Sequence, residues 1–176
     1  FIYSLNIDLF KRLGFREIDL GNFYAYAGVW LVIALGLINV IVAKKFKILQ
    51  VLKFSIIGMS ICFAMSLVPK TYLGLYILTP FLALAYGLSL SNVNALLSNS
   101  VDKKEQGEAF GVNQSLQSFI EAITPLFTSL LLTVNSFFPA SMSYTFPNML
   151  AAITAFICWI VFLLYFLNRP HPEIRA

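Results

Sequence analysis

Residues 21–43 carry no charge, and neither do residues 71–101 or 122–168. These runs are 23, 31 and 47 residues long. A helix needs about 20 apolar residues to cross the hydrocarbon core of a bilayer. The first two runs are therefore one crossing each, and the third is two crossings with a turn. Backbone amides in lipid must pair within their own segment, so the crossings are helices rather than open strands. The alternating ten-residue pattern of a membrane β-barrel is absent. Composition closes the remaining alternatives. Only 11% of residues are charged, against about 25% in a soluble domain, too few to solvate a globule of 19.7 kDa. Disorder needs low hydrophobicity and high charge. An all-α polytopic membrane protein remains.

The interruptions divide the chain. The expected bundle covers residues 1–168, with residues 1–10 the end of a truncated helix and full spans at about 21–43, 49–68, 72–98, 105–134 and 144–167. Residues 169–176 form a polar tail. The chain opens on Phe1 and is read as part of a longer protein. Tyr24, Tyr26 and Trp30 form an aromatic belt at the start of the first full span. Pro80 and Pro125 each remove a backbone donor inside a span and should kink it.

Charge sidedness orients the spans. Lys44, Lys45, Lys47, Lys53, Lys103, Lys104, Arg169 and Arg175 fall on one side; Lys11, Arg12, Arg16 and Lys70 fall on the other. The positive-inside rule makes the first side, with the C-terminus, cytoplasmic. The Phe-, Ile-, Asn- and Lys-rich composition fits an AT-rich bacterial genome, and hence the bacterial cytoplasmic (inner) membrane.

Glu121 is the most informative residue. It lies 11 residues beyond Phe110, roughly 16 Å along a helix and near the middle of a core about 30 Å thick. An ionised carboxylate there costs on the order of 2.5–3.5 kcal/mol by insertion scales. It should face protein or a water-filled cavity, where desolvation favours the protonated acid and suits the group to carry a proton. At 100° per residue, Gln114, Gln117, Ser118, Glu121, Thr124 and Thr128 share one face. Gly111, Ser115, Ala122 and Ser129 form a small-residue flank that allows close helix approach. The bland alternative makes Glu121 a protonated acid bonded to a neighbouring helix.

On the 72–98 span, Tyr76, Ser91, Asn94 and Ser98 project in one direction. Asn94 and Tyr76 are taken as substrate-path residues, with plain packing as the alternative. Asn92 and Asn99 point elsewhere, as interhelical hydrogen-bonders, and Asn39 and Asn22 are read as interfacial.

Enzymatic chemistry finds no support. His171 is the single histidine and lies in the tail. Cys62 and Cys158 form no metal motif. No nucleophile–base pair or phosphate-cradling Gly-rich loop is present, so neither a metal nor a cofactor is expected. The net charge of +4 reflects membrane-flanking loops rather than nucleic-acid binding.

The stretch NALLSNSVDKKEQGEAFGVNQSLQSFIEAITPL, residues 94–126, resembles the junction of the tenth and eleventh helices in the major facilitator superfamily, closest to its drug and tetracycline efflux members. The matching residues are Val101, Gln106 and Gly107 of the cytoplasmic loop, then Gly111, Ser115 and Pro125. LFKRLGFREIDLGNFYAYAG resembles the outer connection of the seventh and eighth helices, and AKKFKILQVLKFSIIG a degenerate copy of the basic loop that follows. The resemblance implies the six-helix C-terminal half of a twelve-helix fold, its first helix only partly present. It implies a secondary transporter working by alternating access in the lipid bilayer, moving a small-molecule substrate together with the missing N-terminal half. Proton-coupled efflux through Glu121, with Gln114, Gln117, Ser118, Asn94 and Tyr76 on the path, is the leading expectation. Uptake of a nutrient or metabolite, a non-transporting scaffold and an inactive half-transporter are the alternatives.

Overall fold

A computed structural model of the chain describes residues 9–10, 14–66, 71–134 and 146–167. The remaining parts of the expected layout lie outside the described residues. These are residues 1–8, 11–13 with Lys11 and Arg12, 67–70 with Lys70 at the end of the second span, the 135–145 connector, and 168–176 with Arg169, His171 and Arg175. The described residues form the helices α1 (Glu17–Ala43), α2 (Ile48–Met65), α3 (Tyr72–Ser100), α4 (Gln106–Val134) and α5 (Phe146–Leu167). By length and composition α1, α2 and α3 can each cross a membrane. α4, at 29 residues as long as α3, is less apolar because one face is polar.

The entry to α1 is built from local chemistry. Gly14 takes φ +65°, a left-handed conformation that costs a side-chain-bearing residue about 1–2 kcal/mol. The chain thereby folds back, and the Phe15 amide donates to the Leu9 carbonyl at 3.2 Å. The Asp19 carboxylate accepts from the Arg16 amide at 3.0 Å and from Arg16 Nε at 3.3 Å, so a donor at the helix start is satisfied by an acid in the first turn. Leu9, Phe15, Phe23 and Leu75 are buried together beneath this entry.

α3 is the hub. α1 packs along one side of it and α2 along another, and α5 covers α2. Buried hydroxyls stitch the stack: Ser89 donates to Ser55 Oγ at 2.9 Å, Ser55 to the Leu52 carbonyl at 3.0 Å, and Ser60 to the Ala152 carbonyl of α5 at 3.2 Å. Trp159 Nε1 donates to the Lys53 carbonyl at 3.2 Å.

α1 and α3 meet at a feature the sequence does not announce. Residues Ala34–Ile38 form a π-helical turn inside α1, a local widening that is rare in helices. Ala34 there is fully buried and sits against Gly87: a Cβ built on Gly87 would lie 2.8 Å from the Ala34 Cβ. One turn further on, Asn39 Nδ2 donates to Ser91 Oγ at 2.6 Å and Asn92 Nδ2 donates to Asn39 Oδ1 at 3.2 Å. Asn92 is therefore an interhelical hydrogen-bonder as expected. Asn39, read from the sequence as interfacial, is the other half of that clasp.

Both proline-bearing helices run on through Pro80 and Pro125. Each proline leaves the carbonyl four residues earlier, on Tyr76 and on Glu121, without its usual amide donor. In each case the preceding threonine donates to the adjacent carbonyl: Thr79 to Leu75 at 2.7 Å, Thr124 to Ile120 at 2.6 Å.

Candidate functional site

Among the described residues α4 meets the bundle chiefly along α3, and sparsely. The turn at 101–105 positions it. Val101 is extended and ends α3; the Asp102 carbonyl then accepts from the Glu105 amide at 2.9 Å. Gln106 Nε2 reaches back to the Ser98 carbonyl at 3.1 Å, satisfying one of the last carbonyls of α3. Gln106 thus fixes how the polar face of α4 is presented to α3, while no atom approaches the open side of Gly107.

Between the two helices lies a cleft of about 580 Å³. α3 contributes Tyr86, Leu90 and Asn94; α4 contributes Asn113, Gln114, Gln117 and Glu121, with Phe110 and Ile120 as apolar wall. From Phe110 to Glu121 the cleft extends roughly 16 Å along α4. It begins near the 101–105 turn and ends near the middle of the helix. Four of the sequence-predicted residues, Asn94, Gln114, Gln117 and Glu121, line this one space.

The polar groups here differ from those elsewhere in the bundle. Asn39, Ser55, Ser89, Ser91 and Asn92 hydrogen-bond to one another or to nearby carbonyls. The side chains of Asn94, Asn113, Gln114, Gln117 and Glu121 make no hydrogen bond among the described residues. Five amide or carboxyl groups therefore face a cleft with their bonding capacity unspent. In a membrane-spanning helix such groups are costly unless water or a solute satisfies them. The arrangement can bind a polar or amphipathic solute against Phe110, Leu90 and Tyr86. Among the described residues no cluster of His, Cys, Asp and Glu can hold a metal ion.

The other sequence candidates fall elsewhere. Ser118 is exposed but off the cleft. Tyr76 belongs to an aromatic cluster under the α1 entry, 5.6 Å from the Phe23 ring and 5.1 Å from the Tyr26 ring. Gly111 and Ser115 have open space beside them: nothing lies within 4 Å of a Cβ built on Gly111, and Ser115 donates to the Gly111 carbonyl at 2.8 Å. Two polar residues of the cleft, Asn113 and Tyr86, were not among the sequence candidates. The signal was available, since Asn113, Gln117 and Glu121 are spaced by four, as are Tyr86, Leu90 and Asn94.

No curated protein and no solved structure matches the chain. Residues 2–176 match the family model of the Major Facilitator Superfamily. A match over nearly the whole sequence, on an all-helical bundle with membrane-crossing helices and a polar cleft, shows that this integral membrane protein belongs to the Major Facilitator Superfamily of transporters.

Proposed function

We propose that the chain is the C-terminal half of a proton-coupled secondary transporter, and that the α3–α4 cleft is its share of the substrate path. The observation that carries this reading is the gathering of Asn94, Gln114, Gln117 and Glu121, all unspent, around one cleft. Family transporters work by rocking two helical halves about a site near the bilayer midplane. The sparse packing of α4 suits a helix whose other face meets the opposite half, and that half would complete the site. Glu121 is the proton carrier in this reading; Asn94, Gln114 and Gln117 hold the substrate; a small amphipathic compound moves outward. The C-terminus lies in the cytoplasm of a bacterial cell, following the excess of lysine and arginine on that side.

The test is substrate-dependent proton movement by the full-length protein in proteoliposomes, under an imposed pH gradient and with a panel of lipophilic cations and small metabolites. The expected result is proton release from the acidic compartment that begins only when a transported compound is added. Transport of a compound with no accompanying proton movement would reject the coupling. Uptake favoured over export under the same gradient would reject the direction.

A further inference from the structure

A second concavity lies at the end of the bundle where α1 turns into α2. It measures about 260 Å³ and is walled by Val42, Phe46, Val51, Phe54, Ala85 and Leu88. Its polar side chains are Ser55 and Gln50. Ser55 donates to the Leu52 carbonyl and accepts from Ser89, and Gln50 Oε1 accepts from the Lys47 amide at 3.4 Å. Apart from the Gln50 amide N–H groups, the interior offers an occupant apolar contact. Phe46 and Phe54 are 56% and 71% exposed, so the apolar wall continues onto the outer surface of the bundle.

The surroundings of this groove carry the opposite chemistry. Lys44, Lys45, Lys47 and Lys53, all exposed, fall on the same turn and first helical turns that wall it. The sequence contains no Asp or Glu from residue 20 to residue 101, and among the described residues the ion pair present is Arg16–Asp19, in the first turn of α1. Four ammonium groups beside the groove are thus without carboxylate partners among the described residues. An occupant matched to both features has an apolar chain and an anionic head. At the level where a membrane helix ends, that is an anionic phospholipid of the surrounding bilayer, whose headgroup lies at lysine height.

We propose that this groove is a binding site for one anionic phospholipid. An acyl chain lies against Phe46, Phe54 and Ala85, and the phosphate is held by Lys44, Lys45 and Lys47. The inference is independent of the transport reading, since it concerns a face on the other side of α3 from the candidate path.

Native mass spectrometry of the full-length protein tests it, using phosphatidylglycerol and phosphatidylcholine of identical acyl chains. The wild type should retain phosphatidylglycerol on the order of tenfold better. The K44Q/K45Q/K47Q variant, altered only at exposed positions, should lose that preference while melting at the same temperature. A85L should fill the groove and reduce retention of both lipids. Equal retention of the two lipids by the wild type would overturn the proposal, as would a preference that survives removal of the three lysines. Release of lipid by a co-purifying protein or by a second copy of the chain seated on the groove would equally overturn it.

Discussion

Glu121→Gln should end pH-driven accumulation while leaving downhill movement of substrate within a few-fold of wild type. Each proton exchanged for a substrate supports at most about tenfold accumulation per unit of pH difference. The variant should instead stop at equal concentrations on the two sides. Gln keeps the size and hydrogen-bonding reach of Glu but cannot ionise, so the substitution separates the proton from the cleft. Stability provides the second readout. Glu121 lies near the centre of a 29-residue helix and has no hydrogen-bond partner among the described residues for Gln to lose. Glu121→Gln should therefore melt at the same temperature as wild type or above it. A clasp between helices predicts the reverse: a lower melting temperature with coupling intact. Transport assays and thermal unfolding in detergent on the same preparation distinguish the two.

Gly87→Leu should destabilise the bundle by about 3 kcal/mol or more, with even Gly87→Ala costing about 1–3 kcal/mol. The first added carbon would already lie 2.8 Å from the Ala34 Cβ and 3.3 Å from Leu31 Cδ1. Ala34 cannot rotate away, being a Cβ fixed to the backbone of the π-helical turn and fully buried. Relief requires α1 and α3 to separate, which also stretches the Asn39–Ser91–Asn92 hydrogen bonds one turn away. Ala34→Gly should rescue Gly87→Ala in part, because the two carbons compete for one space; a coupling near zero in the double-mutant cycle would contradict that contact. Gly58→Ala is the control. Its Cβ would meet Ala85 at 3.7 Å, an ordinary contact, and thermal unfolding should barely move.

The class of fold was legible because charge-free runs of this length have one physical solution in lipid. The polar face of α4 was legible for a related reason: Gln114, Gln117 and Glu121 stand out in an apolar helix. The centre of that face was harder to read. Phe110 and Ile120 line the cleft, yet hydropathy assigns such residues to lipid, so the polar arc drawn without them tilts toward Ser118 and away from Asn113. Tyr76 lies off the cleft for a different reason. It lies 18 residues before Asn94, which is five whole turns, so the two share a direction on a helical projection. They are also about 27 Å apart along the axis, and a projection discards height. The π-helical turn at Ala34–Ile38 left no mark in the sequence, since its neighbours are ordinary apolar residues. The Asn39 side chain just beyond it joins the α1–α3 clasp.

The account turns on which face of α4 lines the path, and cysteine labelling of the full-length protein in membranes reads that directly. Gln117→Cys and Ser118→Cys differ by one position and by about 100° on the helix. A polar, membrane-impermeant maleimide should modify Gln117→Cys, and a transported compound should slow that reaction. Ser118→Cys should react slowly and show no protection. Protection at 118 with none at 117 would contradict the account and return the path to the face centred on Ser118. Equal reactivity without protection at either position would remove the α3–α4 cleft from the path.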